Sequence, residues 1–361
     1  MRRRLRILYI AYPLLPVTPE SCGGAEQVLW TLEGEMARRG HRTAVAACDG
    51  SQVSGALLST GAAATEADRF EERNLEHVGR ILGALAQVQG SGGRFDIIHD
   101  HSGSFWRHAR QVDLPVLATL HLPRAFYPDD TVESVPQNLY FNYVSQSQRA
   151  TFADLPHALA VVRNGIRVQD FPAPSGEHED YLLWLGRICE EKGAHVAIDV
   201  ARRAGRKLVI AGDVYPFSYH ESYFEREIRP HLDNERVSYV RRPSLAVKIG
   251  LLRRANAVLL PSLVEETSSL VAMEAAACGT PVVAFRRGAI PEVVREGVTG
   301  FLVDNTEEMT GALQRVTEID PVSCRRHVEA NFSATRMGAD YERLYREVIA
   351  SCGGESHRTA A

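Results

Sequence analysis

Short apolar runs alternate with stretches of helical periodicity along most of this chain. In the first half the apolar runs fall at residues 5–11, 43–47, 97–99, 116–121, 142–145 and 159–162. Each is short enough to be a strand buried on both faces. Between the first two, Ala25, Val28, Leu29, Leu32 and Met36 recur at intervals of three and four. They mark one face of a helix over 25–39, with Gly40 as its stop. Residues 49–68, rich in Gly, Ala and Ser, read as loop, and 89–94 as a second flexible connection. The stretch between Phe171 and Asp180 carries two prolines, a glycine and charges, and is the best linker candidate. After it the alternation restarts. Strands are expected at 181–185, 207–211, 237–240, 257–260, 281–285 and 300–303, and helices at 194–203, 245–254, 268–278 and 334–349. Residues 181–211 form one strand–helix–strand unit of about thirty residues, whose strands must be parallel. The pattern predicts an α/β protein of two Rossmann-like, doubly wound parallel-sheet domains facing a central cleft. The first covers 1–172 and the second 173–335. Such sheets bind ligands beyond the carboxyl ends of their strands.

Composition narrows the function. The length of 361 residues suits two domains. With 45% hydrophobic and 24% charged residues, a disordered or collagen-like chain is excluded. The formal net charge is −4 and neither half is basic, so a dedicated nucleic-acid binder is excluded. Cys22, Cys48, Cys189, Cys278, Cys324 and Cys352 form no C-x-x-C pair. That points to free thiols in a reducing compartment, hence a cytoplasmic protein. No apolar run reaches 18 residues, so no membrane-spanning helix is expected. Arg2, Arg3 and Arg4 before an apolar stretch have the shape of a secretory leader. Pro13, Pro16 and Pro19 break that stretch, and it reads instead as the first strand. The same arginines with Arg6 would allow weak peripheral contact with anionic lipid, beside a plain solubilising role. Only Lys192, Lys207 and Lys248 among the 41 basic residues are lysines. That makes each lysine position informative.

Three segments carry candidate chemistry. Gly23-Gly24-Ala25-Glu26 opens the first helix. Its glycines would let the backbone approach a ligand, and the helix N-terminus would offer N–H groups to an anion. A plain turn is the competing reading. The strand-to-glycine loop is too long for a dinucleotide fingerprint and G-x-G-x-x-G is absent, which disfavours an oxidoreductase. The second segment, LGRICEEKG at 185–193, ends a strand and presents Arg187 and Lys192. A planar fork and a compact ammonium suit a diphosphate. Solvated loop cations partly paired by Glu190 and Glu191 are the alternative.

The third segment runs over 261–285, with Glu266 ahead of a helix capped by Thr267 or Ser268 and Glu274 eight residues further on. Were both helical, the rise between them would be ~12 Å. A retaining-glycosidase pair needs about 5–5.5 Å, so the spacing suits an elongated ligand held at both ends instead. Glu274 also lies in an apolar run, where an unpaired carboxylate would be costly. His99 and His101 flank Asp100, but the ligand count is too low for a metal site. The aromatic segment 213–232 either shapes a ligand pocket or packs as a helix on the core.

Taken together and in order, Glu266-x7-Glu274, the 185–193 segment, Gly23-Gly24-Ala25-Glu26 and Gly279-Thr280-Pro281-Val282-Val283 resemble the retaining glycosyltransferases of family 4, with the GT-B fold. Residues 96–101 (DIIHDH), 162–165 (VRNG) and 297–303 (GVTGFLV) fit the same pattern. The resemblance implies a hexosyltransferase-type enzyme moving a sugar from a nucleoside-diphosphate sugar to an acceptor hydroxyl, without metal or other cofactor. Arg187 and Lys192 would bind the donor diphosphate, Glu266 the hydroxyls of its sugar, and Glu274 its ribose. Gly24, Gly212, Thr267, Ser268, Ser269 and Leu270 would complete the donor site. His121, ending the 116–121 strand, resembles the active-site histidine beside the transferred sugar. A helix over 336–352 would cross back to the first domain, followed by a disordered tail at 353–361. The acceptor could be a small molecule, a lipid or a glycan. One departure is Thr267-Ser268-Ser269 where the family often has Gly-Phe-Gly. It keeps open a nucleotide-sugar-binding regulatory protein without turnover, beside a sugar-nucleotide epimerase or phosphorylase of the same scaffold.

Overall fold

The structure is a computed structural model that describes residues 3–21, 23–63, 70–127, 135–152, 155–174 and 178–355. The chain divides into two compact units, Met1–Asn164 with Ala334–Ala361, and Gly165–Ser333. The division falls eight residues before Pro172. Phe171, just before the expected linker, is buried in the second unit, and its carbonyl accepts from Arg325 at 2.8 Å. The chain leaves and re-enters at one place, since Ile166 N–H donates to the Phe332 carbonyl at 2.8 Å.

The first unit is built on seven parallel strands: β1 (Arg6–Ile10), β2 (Arg42–Ala47), β3 (Ala56–Ser59), β4 (Ile97–Asp100), β5 (Val116–Thr119), β6 (Leu139–Tyr143) and β7 (Ala158–Val161). Their order is β3-β2-β1-β4-β5-β6-β7. The direction of winding therefore reverses between β1 and β4. Strand β3 lies in the stretch read as loop. Its residues are mostly exposed, so it lacks the apolar run that betrays the others. Residues 64–69 of that stretch lie outside the described residues. The helix Phe70–Gly90 was likewise not expected; only His77, Val78 and Ile81 of it are buried, a thin stripe. Strand β5 stops at Thr119, two residues before His121.

The last helix, Ala334–Glu355, is longer at both ends than 336–352 and belongs to the first unit. It packs on the helix Gly24–Arg38, where Arg39 reaches Glu342 at 3.1 Å and the Thr335 carbonyl at 2.9 Å. Helix therefore extends into the expected tail as far as Glu355; 356–361 lie outside the described residues.

The second unit has six parallel strands: β8 (Tyr181–Arg187), β9 (Lys207–Asp213), β10 (Val237–Arg241), β11 (Ala257–Leu260), β12 (Val282–Phe285) and β13 (Gly300–Val303). Their order is β10-β9-β8-β11-β12-β13, with the reversal between β8 and β11. Neighbouring residues along a strand enter different cores. Leu183, Val258 and Ala284 join one, while Leu182, Leu259 and Val283 join the other. This period of two is what a sheet covered on both faces requires, and it explains the unbroken apolar runs. Among the described residues, no helix is long and apolar enough to cross a membrane.

Candidate functional site

In the second unit the carboxyl end of β8 sets the first part of the site. Arg187 is its last residue, and Gly212 lies opposite Gly186 in the β8–β9 register. The Arg187 guanidinium donates to Glu191 at 3.2 Å and lies 5.5 Å from the Tyr215 ring centre. The chain then makes a short turn, Glu190–Lys192, closed by Gly193 in the left-handed region at φ +69°. A side chain at Gly193 would overlap the Pro261 carbonyl, so the turn can seat against the β11 exit only with glycine. Trp184 Nε1 donates to the Lys192 carbonyl at 3.1 Å, and Leu263 N–H to the Glu191 carbonyl at 2.8 Å. The turn is thus held from both sides.

Glu266 lies on the segment that follows β11. Its carboxylate accepts from Lys192 Nζ at 2.6 and 2.8 Å and from the Ser262 hydroxyl at 2.6 Å. Its carbonyl accepts from Ala289 N–H at 2.6 Å. Gly288, at φ +54°, passes so close that a side chain there would overlap the backbone of Glu266. The helix begins at Leu270, later than expected, and its cap is Ser269, which accepts from Ala272 N–H at 3.2 Å. Thr267 and Ser268 do not cap it. Thr267 is buried and Ser268 half-buried. Glu266 is therefore not helical, and the ~12 Å helical rise does not describe its separation from Glu274. Glu274 is buried on the helix Leu270–Ala277, and its carboxylate accepts from Lys248 Nζ at 2.6 Å. The ammonium removes the cost that an unpaired carboxylate would incur in this apolar run.

The 213–232 segment packs on the core, the second of the two alternatives considered for it. Tyr223, Phe224 and Ile228 pack in the core, while Tyr215 underlies Arg187. His220 is fully buried, and burial together with the Arg187 charge lowers its pKa to about 4. Cys189, Glu191 and His220 bring ligand atoms within 4.8 Å of one another. Arg187 beside them and a Cys189 thiol pushed up to about 11 by burial both oppose a cation there.

Gly24 and His121 belong to the first unit. Gly24 is exposed and opens the helix Gly24–Arg38. Gly23 has a packing reason to be glycine, because the buried Glu26 carboxylate occupies the space of its absent side chain. His121 follows β5, and its N–H donates to the Tyr127 hydroxyl at 3.1 Å. Its Nε2 is 2.8 Å from His101 Nδ1, and His101 Nε2 is 3.2 Å from His99 Nδ1. Burial lowers the pKa of His121 to about 4 and those of His99 and His101 well below their usual value, so all three are neutral at pH 7.

Residues 22–170 match the family described as Glycosyltransferase Family 4, and residues 166–331 the one described as Glycosyl transferases group 1. The chain belongs to the family-4 type of glycosyltransferases. Among its relatives is the D-inositol 3-phosphate glycosyltransferase of Corynebacterium efficiens, 31% identical over 51% of this chain and 46% of the relative. Another is the glycogen synthase of Mycobacterium tuberculosis, 31% identical over 51% of this chain and 45% of the relative. The chain thus spans about half the length of the curated relatives it matches. In structure it is similar to sucrose-phosphate synthase from Thermosynechococcus elongatus, with TM-score 0.79, 20% identity, and 96% and 100% of the two chains covered. Anabaena HepE in complex with UDP and glucose gives TM-score 0.73 at 16% identity, covering 94% and 99%. These likenesses show the GT-B fold.

Several residues of this glycosyltransferase escaped the sequence reading. Ser262, Gly288 and Tyr215 carry no local signal, because each acts on a residue distant in sequence. Lys248 did carry one, since lysine is so scarce here. The partnership of His99 and His101 with His121 could not be read, because it depends on β4 lying next to β5.

Proposed function

We propose that this glycosyltransferase moves a hexose from a nucleoside-diphosphate sugar to an acceptor hydroxyl, with retention of anomeric configuration. The observation that carries this reading is the joining of Lys192, Glu266 and Ser262 on a braced turn at the end of β8. An ammonium has three protons, and Glu266 takes two of these, so one remains for a phosphate oxygen. The Glu266 carboxylate accepts three bonds and can still accept from a sugar hydroxyl. A donor that is phosphate at one end and polyol at the other matches such a pair. HepE holds UDP and glucose in its complex, and starch synthase IV of Arabidopsis thaliana is bound to ADP and acarbose, which supports this donor class.

In this reading Arg187 and Lys192 face the diphosphate, and Glu274, steadied by Lys248, takes the ribose hydroxyls. Gly24, Gly212, Thr267, Ser268, Ser269 and Leu270 line the donor. As the anomeric C–O bond breaks, its electron pair passes to the leaving diphosphate. The fixed cations answer that charge without a metal ion. The acceptor oxygen attacks from the face that the diphosphate leaves, and its proton passes to a phosphate oxygen. His121 contacts the transferred sugar. The acceptor is a small molecule, lipid or glycan, and the protein works in the cytoplasm.

The test is a screen of UDP-, ADP-, GDP- and dTDP-hexoses against inositol phosphate, lipid and glucan acceptors. It reads nucleotide release and the anomeric coupling of the product. The expected result is one donor class, a product with the donor's anomeric configuration, and a loss of at least a hundredfold in Glu266→Ala. Inversion, or no release from any donor, would overturn the reading.

A further inference from the structure

The amino ends of β8, β9 and β10 line a cavity of about 240 Å³ in the second unit. Arg187 lies at the other end of β8, whose seven residues at ~3.3 Å each keep the two places ~20 Å apart. Lys207 opens β9. Arg236 stands beside it just ahead of β10, since Leu208 N–H donates to the Arg236 carbonyl at 2.8 Å and Leu208 pairs with Val237. Both cations line the cavity and both are exposed, so a ligand reaches them without rearrangement.

Lys192 and Lys248 each meet a glutamate, whereas the third lysine of the chain meets none. Among the described residues neither Lys207 nor Arg236 has an ion-pair partner. The nearby carboxylates are committed elsewhere. Glu179 pairs with Arg254 and Asp180 with Arg206. Asp233 accepts from the N–H groups of Glu235, Arg236 and Val237. Glu235 also lines the cavity but forms no ion pair with either cation. Two neighbouring cations without a counter-ion repel each other, and an anion between them removes that cost. The Asn234 amide and the Ser238 hydroxyl line the same cavity, and neither side chain has a hydrogen-bond partner among the described residues. Buried Tyr181 and Leu208 add an apolar wall.

We propose that this cavity binds a small phosphorylated polyol, at a site separate from the turn at the end of β8. The Arg236 guanidinium offers a planar fork to two phosphate oxygens, and the Lys207 ammonium a point charge to the third. A phosphomonoester carries up to two negative charges and neutralises both cations. Asn234 and Ser238 can each donate to and accept from the hydroxyls of the polyol. The volume lies below the ~300–1,000 Å³ typical of pockets for drug-sized ligands, which favours such a ligand over a nucleoside diphosphate.

The experiment titrates the full chain calorimetrically with inorganic phosphate and with glycerol 3-phosphate. Sodium chloride holds the ionic strength constant, and glycerol is the uncharged control. At about pH 8 both probes carry two charges. The expected result is one saturable site per chain for each anion and none for glycerol. Lys207→Gln and Arg236→Gln should each raise Kd about tenfold or more, while Lys192→Gln leaves it unchanged. Both cations are exposed at strand ends, so the variants should keep the wild-type circular dichroism. No saturable binding of either anion at millimolar concentration would overturn the proposal. So would affinity retained in a folded Lys207→Gln, Arg236→Gln double variant. Loss of binding in Lys192→Gln would overturn it too, since the phosphate would then belong to the turn at the end of β8. The titration needs neither nucleotide sugar nor turnover, so it reads independently of the proposed activity.

Discussion

Lysine occurs three times in this chain, and two of those ammonium groups meet the two glutamates of the Glu-x7-Glu pattern. Lys192 binds Glu266 and Lys248 binds Glu274. The pairs do different work. Glu266 and Lys192 keep partial access to solvent, with side-chain exposures of 13% and 31%. They can trade solvent for a ligand. Glu274 and Lys248 are at 5% and 14%, close to a fully buried pair. Removing one partner of such a pair strands a charge, so Lys248→Met should cost about 3–5 kcal/mol of stability. Adding Glu274→Leu should recover most of that loss, because two apolar side chains then replace two charges. Chemical denaturation of the single and double variants measures both. Equal loss in the two would contradict the pairing. The sequence made Glu266, Glu274 and the value of lysine legible. It could not say which lysine meets which glutamate, because 26 residues separate Lys248 from Glu274 and 74 separate Lys192 from Glu266.

At the scale of elements, the strands with unbroken apolar runs were legible, because burial on both faces writes itself into every position. Strand β3 and the helix Phe70–Gly90 were not, since neither buries enough side chains to leave a period. The helix Leu270–Ala277 starts two residues later than its sequence suggests, because Thr267, Ser268 and Ser269 are all able caps. Ser269 wins, as Glu266 is pinned back by Ala289 and Gly288. The serine that takes the place of a family glycine thus has a structural use. Gly288→Ala tests this brace. Its methyl group would strike the Glu266 backbone and sit at an unfavourable positive φ, costing about 1–3 kcal/mol. Donor affinity should fall about tenfold, since a displaced Glu266 loses its alignment with Lys192. Retained affinity in a folded variant would mean that Glu266 does not hold the donor.

For the whole molecule, the buried histidines make stability depend on pH in a stated direction. His121 has a pKa of about 4 when folded against an ordinary 6.5, and burial moves His99 and His101 the same way. Between those values the unfolded chain binds protons that the folded chain refuses, so stability falls as pH drops through 6.5 toward 4. Asp100 works oppositely. Burial raises it from 3.8 to about 6, so between those values the folded chain holds a proton that the unfolded chain does not. His77 and His220, also lowered to about 4 by burial, act in the same direction, so the histidines outweigh the one aspartate and unfolding near pH 5 takes up protons. Proton uptake during denaturation at pH 5 checks it, and release of protons would contradict it. The division into two parallel-sheet units was legible in the restart of the strand–helix alternation. Its boundary was not, because the linker composition begins only at Pro172, whereas the second unit starts at Gly165 and already buries Phe171.

In the proposed function, the turn at the end of β8 and Glu266 form a donor site for a nucleoside-diphosphate sugar. Calorimetric titration of the full chain with UDP-, ADP-, GDP- and dTDP-glucose, in wild type and Lys192→Gln, tests it most directly. One donor should bind per chain, for one nucleotide class. A donor at a hundred times its Kd should stabilise the protein by ~2.7 kcal/mol. Lys192→Gln should weaken binding by at least tenfold while leaving the protein folded. Absence of binding by every donor at millimolar concentration, or affinity unchanged in Lys192→Gln, would contradict it.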